Sequence, residues 1–184
     1  MAPLGPAIAT DRLLLTRLTA ADSEAFFAYR SLPEVCRYQS WAPSRLQDAV
    51  TFIERLQGVP FASPDTWFQL GVRLRETGEL VGDLGVHFVG DGRQVEIGFT
   101  LAPVFQGRGL GTEAVAALLG YLFGELGKHR VFASVDPANR SSLRLLERVG
   151  MRQEAHFLRS VLFKGEWADD MVFAILASEW RARG

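Results

Sequence analysis

A glycine-rich turn in the second half of the chain is the most informative segment of the sequence. It reads Gln106-Gly107-Arg108-Gly109-Leu110-Gly111-Thr112, and we call it the glycine loop. Apolar residues recur after it at helical spacing, so the loop is predicted to open a helix. Glycine lets the backbone approach a ligand closely, and the free N–H groups at the start of a helix favour a phosphate. The pattern therefore indicates either a phosphate-binding loop or a plain turn between a strand and a helix.

Two nucleotide-binding loops have glycine patterns that can be compared with this one. A Walker loop ends in Gly-Lys-Ser or Gly-Lys-Thr, whereas Gly111 is followed by Thr112 and Glu113, so that interpretation fails. The segment Gly109-Leu110-Gly111-Thr112-Glu113-Ala114 does fit the G-x-G-x-x-A pattern of dinucleotide-binding folds. Those folds place the glycines directly after the first of several parallel strands. The strand before this loop is predicted to close an antiparallel meander, which disfavours a nicotinamide-dependent oxidoreductase.

Hydrophobic periodicity predicts a mixed α/β sheet flanked by helices, with the element order βααβββαβαββ. The predicted strands fall at 13–18, 67–74, 80–88, 95–101, 131–135, 155–163 and 171–176. The three strands in the middle form an antiparallel meander, because short turns separate them. This order is typical of neither a doubly wound sheet nor a barrel.

Length and composition predict one globular domain over residues 1–184. The chain has 48% hydrophobic residues and a net charge of -1, which disfavours nucleic acid and an anionic membrane as partners. No apolar run is long enough to span a membrane, and residues 1–6 lack the pattern of a signal peptide, so we expect a cytoplasmic protein. Cys36 is the only cysteine and the three histidines are scattered, so no metal site is expected. Cys36 is interpreted as a packed small residue, with a nucleophile as the alternative.

Several segments, taken in order, resemble the GNAT N-acetyltransferase superfamily and its RimJ/RimL branch. The glycine loop resembles the acetyl-CoA pyrophosphate loop of that superfamily. The other matching segments are Thr10-Asp11-Arg12-Leu13-Leu14-Leu15, Val95-Glu96-Ile97-Gly98-Phe99, Asn139-Arg140-Ser141-Ser142, Gly165-Glu166-Trp167-Ala168-Asp169 and Ser178-Glu179-Trp180. Two departures stand out. Met151 replaces the usual aromatic residue, and Leu145 and Leu146 lie where many members carry a tyrosine that acts as general acid.

The resemblance implies the GNAT fold, with a mostly antiparallel sheet that splays apart between its fourth and fifth predicted strands. Acetyl-CoA would enter that gap, and an amine would attack its thioester directly. The implied function is an acetyl-CoA-dependent N-acetyltransferase, a monomer or homodimer, acting on a peptide N-terminus or a small-molecule amine. A GNAT-fold protein that binds CoA without catalysis is the alternative.

The resemblance also assigns roles to residues of this chain. Cofactor binding falls on the glycine loop together with Leu101, Asn139 and Ser142, and Asn139 can equally be a helix N-cap. Glu96 is the candidate general base, and strand alternation places it opposite the apolar face of its strand. His87 falls opposite Glu96 if the hairpin centres on Asp91-Gly92, where it is a proton relay or a structural histidine. Ser142 is the candidate partner of the leaving thiolate, and a backbone N–H within residues 100–102 would stabilise the oxyanion.

The walls of the acceptor site are predicted from aromatic and acidic residues, because a cationic amine favours such neighbours. The candidates are Tyr38, Trp41, Trp67, Trp167 and Asp169, with Asp170 beside them. The same aromatic residues are also compatible with ordinary core positions.

Overall fold

The computed structural model describes residues 5–182, so parts of the predicted domain range 1–184 and of the N-terminal segment 1–6 lie outside it. The elements are, in chain order, β1 (Ile8–Ala9), β2 (Leu13–Arg17), α1 (Ser23–Arg30), α2 (Pro33–Cys36), α3 (Leu46–Gln57), β3 (Trp67–Leu74), β4 (Leu80–Val89), β5 (Gln94–Leu101), α4 (Leu110–Gly124), β6 (Arg130–Val135), α5 (Arg140–Arg148), β7 (Arg152–Phe163), β8 (Glu166–Leu176) and α6 (Ala177–Arg181). No described helix is both long and apolar enough to cross a membrane.

The eight strands described form one sheet with the order β1-β2-β3-β4-β5-β6-β8-β7. Every neighbouring pair is antiparallel except β5 and β6, which are parallel. The predicted mixed, mostly antiparallel sheet is therefore confirmed. The predicted element order omits β1, α2 and α6, all of which are too short to show a hydrophobic period.

The two parallel strands pair at only one end. β5 and β6 pair at Gln94↔Arg130, Val95↔Val131 and Glu96↔Phe132. β5 continues to Leu101 and β6 to Val135, and these continuations have no pairing with each other among the described residues. The sheet therefore splays from Glu96 onward, as the resemblance implied for its fourth and fifth predicted strands.

The two faces of the sheet differ in character because side chains alternate along each strand. On one face, apolar side chains such as Leu84, Val86 and Ile97 pack with helices α4 and α5 in the main core. On the other face, the register of β4 and β5 pairs Asp83 with Thr100, Gly85 with Gly98, and His87 with Glu96. This second face is polar and rich in glycine, and only a smaller apolar cluster with α1 and α3 covers part of it. The predicted pairing of His87 with Glu96 is confirmed.

A buried ion pair joins α1 to the second face. Asp83 is fully buried and Arg30 is 8% exposed. The Asp83 carboxylate accepts hydrogen bonds from the Arg30 guanidinium, the Tyr29 hydroxyl and the Gln69 amide. Burial and the neighbouring Asp83 charge raise the pKa of Tyr29 well above its ordinary value, so its hydroxyl stays protonated as a donor. The charges are therefore paired and hydrogen-bonded, as burial of an ion requires.

Removing the Asp83 charge should destabilise the fold strongly. Asp83→Asn keeps the shape but leaves the Arg30 guanidinium buried without a counter-charge, which typically costs about 3–5 kcal/mol. Denaturant unfolding measures the change. The control is Asp91→Asn, because Asp91 pairs with Arg93 on the exposed surface and should change stability far less. Equal effects of the two substitutions would contradict this account.

Candidate active site

The gap between β5 and β6 opens into two adjoining cavities. The loop cavity, of about 410 Å³, lies beside the glycine loop. The sheet cavity, of about 550 Å³, lies over the polar face of β4 and β5 and includes Glu96 and Trp67 in its lining. Residues that line both cavities are Tyr38, Gln39, Phe99, Asn139 and Ser142. The two cavities therefore meet where β5 has parted from β6, next to the start of α5.

The glycine loop presents backbone groups to the loop cavity. Gly107 and Gly109 adopt φ values of 74° and 77°, which glycine reaches without steric cost. Gly109 is the N-cap of α4, and no side chain of the described residues caps this helix. The N–H groups of the first helical turn therefore face outward as donors for an anion. Arg144 and Arg148 of α5 add positive charge to the same cavity, so these residues fit a pyrophosphate-bearing ligand.

The side chains of the glycine loop have different positions. Gln106 donates from its amide to the Leu101 carbonyl at 2.9 Å, which fixes the loop to the end of β5. Leu110 and Thr112 line the loop cavity together with Gly111. Arg108 is not among the lining residues; its guanidinium lies 5.5 Å from the centroid of the Phe105 ring.

Arg12, directly before β2, contacts both the glycine loop and the first turn of α4. Arg12 donates to the Arg108 carbonyl at 3.0 Å and to the Glu113 carboxylate at 2.6 Å. The Thr10 hydroxyl donates to the same carboxylate at 2.5 Å. Partial burial alone would raise the pKa of Glu113, but the hydrogen bonds from Thr10 and Arg12 outweigh it and lower that pKa. The segment around Arg12 therefore stabilises the conformation of the loop.

The backbone of β5 offers donors to the gap on alternate residues. Ala102 N–H donates to Val81 O at 2.9 Å, so this N–H points toward β4. Alternation along the β4–β5 ladder directs the Thr100 N–H toward β4 as well, and the N–H groups of Phe99 and Leu101 toward the gap. Within the range 100–102 predicted for an oxyanion donor, Leu101 is the residue whose N–H points toward the gap, and the Phe99 N–H points the same way.

Asn139 is the N-cap of α5. Its side-chain oxygen accepts from Ser142 N–H at 3.2 Å and from the Ser141 hydroxyl at 3.0 Å. With the oxygen engaged, its amide nitrogen is left as a donor in the wall of both cavities. Ser142, one turn further along α5, lines both cavities as well. The capping position and the cleft position of Asn139 thus coexist.

Glu96 is the last residue of β5 that pairs with β6, and its side chain is 26% exposed. His87 Nδ1 lies 3.4 Å from Glu96 Oε2, and the Trp67 ring stacks on the imidazole with centroids 5.0 Å apart. Trp67 lines the sheet cavity, whereas His87 is not among its lining residues. His87 therefore contacts Glu96 and Trp67, which both line the sheet cavity, and does not itself line that cavity.

The other predicted wall residues divide into two groups. Tyr38 and Trp41 line the sheet cavity; the Tyr38 hydroxyl lies 3.3 Å from the Ala138 carbonyl, and the Trp41 ring stacks on that of Phe52 at 4.6 Å. Asp169 lines the cavity too, and hydrogen bonds from Arg159 N–H and His156 lower its pKa. Trp167 is 63% exposed and is not among the lining residues, whereas the adjacent Ala168 is, because successive side chains of a strand point to opposite faces. The structure therefore does not place Trp167 in the wall of the sheet cavity.

The sequence did not predict some of the residues that line the cleft. Arg30 and Gln39 line the sheet cavity, and Arg30 donates to the Gln39 amide oxygen at 2.9 Å. No local pattern marks this contact. Arg144 and Arg148 follow each other at a spacing of four on α5, and this repeat could have indicated a basic helix face.

The Cys36 thiol donates to the Arg30 carbonyl at 3.1 Å, which agrees with a packed cysteine. Within residues 5–182, no group of three or more metal-binding side chains could hold a metal ion.

Comparisons with known proteins point to one family. A family model described as an acetyltransferase (GNAT) domain matches residues 12–152. The uncharacterized N-acetyltransferase YnaD of Bacillus subtilis (strain 168) is 31% identical over 173 residues, 94% of this chain and 98% of that protein. A GNAT-family acetyltransferase from Bacillus anthracis has a TM-score of 0.87 at 30% identity, covering 95% of this chain and 100% of the other. Mycobacterium smegmatis RimJ, in complex with CoA-disulfide, has a TM-score of 0.79 at 25% identity, covering 91% and 83%.

The contact between Glu113 and the N-terminal segment should depend on pH. Because the pKa of Glu113 is lowered in the fold, its ionised form contributes stability above its ordinary pKa of 4.5, and this contribution disappears as pH falls through the lowered value. Glu113→Gln should therefore be less stable than the wild type at pH 7, and the difference should shrink on acidification. Denaturant unfolding between pH 7 and pH 3 measures it, with Glu76→Gln in the exposed β3–β4 turn as control. A difference that stays constant over this range would contradict the assignment.

Proposed function

This chain belongs to the GNAT acetyltransferase family, and we propose that it is an acetyl-CoA-dependent enzyme that acetylates a primary amine by direct attack on the thioester. The proposal rests mainly on the junction of the two cavities. The parting of β5 from β6 joins a cavity beside the glycine loop to a cavity that contains Glu96. A donor and an acceptor entering from opposite sides would meet at that junction, which is the arrangement that a direct transfer requires.

The loop cavity is the proposed site of acetyl-CoA. First-turn N–H groups of α4 would hold its pyrophosphate, and Arg144 and Arg148 would pair with its remaining negative charge. The Asn139 amide nitrogen and the N–H groups of Phe99 and Leu101 would bind the arm that runs between the strands. When bound, acetyl-CoA supplies a thioester carbonyl that an amine attacks and a thiolate that leaves.

The remaining chemistry falls on side chains and backbone groups of this chain. Glu96 accepts the proton that the amine must lose, directly or through a water molecule. His87 holds the Glu96 carboxylate in place and is a positioning residue. The Leu101 or Phe99 N–H donates to the oxygen on which negative charge develops. The Ser142 hydroxyl donates to the sulfur. It takes the place of the tyrosine general acid that many family members carry where this chain has Leu145 and Leu146.

Charge in the sheet cavity supports a cationic acceptor. Four carboxylates line it, those of Glu96, Asp136, Asp169 and Asp170. The Arg30 guanidinium in the same lining is already neutralised by Asp83. An ammonium group would therefore find negative charge and the aromatic faces of Trp41 and Trp67 around it. This chemistry suits a peptide N-terminus as well as a small-molecule amine.

Blocking the glycine loop should weaken cofactor binding. Gly109→Val places a side chain at φ 77°, beside the N–H groups that face the cavity. We expect acetyl-CoA affinity to fall at least about tenfold, equal to about 1.4 kcal/mol, in isothermal titration calorimetry. Gly78→Val is the matched control, because Gly78 has φ 74° in the β3–β4 turn and introduces the same backbone strain away from the cleft. Unchanged affinity in a folded Gly109→Val variant would place the cofactor elsewhere.

Removing the base should slow turnover without affecting cofactor binding. Glu96→Gln keeps the shape of the side chain but cannot take a proton, and general-base help is worth roughly 10²–10⁴-fold. We expect kcat to fall within that range near neutral pH. The loss should shrink as pH rises, because more of the amine is then uncharged.

An acetyl-CoA assay over peptides, polyamines and aminoglycosides measures this effect. Normal turnover of Glu96→Gln would eliminate Glu96 as the base. A wild-type protein that binds acetyl-CoA but acetylates nothing on the panel would favour the alternative of a CoA-binding protein without catalysis.

A further inference from the structure

Gly98 in β5 is a glycine that neither close packing nor its backbone conformation requires. A Cβ at Gly82 would lie 2.3 Å from the Thr100 carbonyl oxygen, and one at Gly85 would lie 3.0 Å from the Trp67 ring. Close packing therefore explains both of those residues. A Cβ at Gly98 would meet no atom within 4 Å, and its φ is not in the left-handed region. A glycine inside a strand costs stability relative to alanine, so the open space above Gly98 needs another explanation.

That space lies between the proposed base and the junction of the two cavities. Gly98 lines the sheet cavity and shares its strand face with Glu96, two residues earlier. Residues two apart on a strand are about 7 Å apart. A small group therefore fits above Gly98, between the side chain of Glu96 and that of the next residue on the same face. Phe99, the next residue of β5, already lines both cavities. A path from the Glu96 carboxylate to the junction therefore passes over Gly98.

We infer that the acceptor amine reaches the thioester through the space above Gly98, so that residue 98 sets the greatest width of the acceptor beside its nitrogen. This inference rests on the proposed function. The amine must contact Glu96 on one side and reach the junction on the other, and a side chain at position 98 would stand between them. Gly98 thus determines specificity by contact with the acceptor and takes no part in proton transfer.

Enlarging this residue step by step tests the inference. The variants are Gly98→Ala and Gly98→Val, and the matched control is Gly124→Ala, because a Cβ at Gly124 also meets no atom within 4 Å but lies at the end of α4, outside both cavities. The assay measures kcat/KM with acetyl-CoA and an alanyl peptide, spermidine and kanamycin. Calorimetry measures acetyl-CoA affinity, and thermal unfolding measures the melting temperature.

We expect kcat/KM for the acceptor to fall about tenfold in Gly98→Ala and about 100-fold in Gly98→Val, the loss typical of a small misplacement of a reacting group. Acetyl-CoA affinity should stay within twofold, and the melting temperature of Gly98→Ala should be unchanged or higher. Gly124→Ala should match the wild type in kcat/KM and in acetyl-CoA affinity, and its melting temperature should be unchanged or higher.

Different failures lead to different conclusions. An active wild type with unchanged kcat/KM in both Gly98 variants overturns this inference and leaves the proposed function intact. A large fall in melting temperature for Gly98→Ala, or weaker acetyl-CoA binding in either variant, also overturns it, because the space would then serve the fold or the cofactor. A wild type that acetylates none of the three amines and does not bind acetyl-CoA overturns the proposed function, and the inference fails with it.

Discussion

β5 and β6 share a ladder only as far as Glu96 and Phe132, and the rest of the cleft depends on this limit. Beyond that point the backbone N–H groups of Phe99 and Leu101 face the gap and pair with no strand of residues 5–182, so they can donate to a ligand. α4 follows β5 and α5 follows β6, so the two diverging strands lead into the two helices that begin at the gap. The glycine loop and Asn139 thereby line the same opening.

Opposite requirements on the two faces of the sheet explain how the opening stays stable. One face buries a continuous apolar core beneath α4 and α5, which contributes most of the hydrophobic stabilisation. The other face must remain polar and partly uncovered around Glu96 and Gly98, so it cannot be closed by apolar packing. The buried pair of Asp83 and Arg30 fixes α1 against that face, and Arg30 continues the contact to Gln39 at the edge of the cleft.

Local signals in the sequence predicted the elements, whereas long-range contacts remained hidden. The period of two along β4 and β5 and the turn at Asp91-Gly92 were enough to predict the pairing of His87 with Glu96. Asp83 looked like any polar residue of an alternating strand, because its partner Arg30 lies on a distant helix. The contact of Arg12 with the glycine loop is hidden for the same reason. Trp167 shows that aromatic composition alone does not say which way a hairpin end faces.

A crystal structure with a non-hydrolysable thioether analogue of acetyl-CoA would show whether the gap between β5 and β6 brings cofactor and acceptor together. We expect the pyrophosphate on the N–H groups that begin α4 and the acetyl group between the strands, at the junction lined by Phe99 and Ser142. An analogue bound elsewhere, with the gap between the strands left empty, would contradict this expectation.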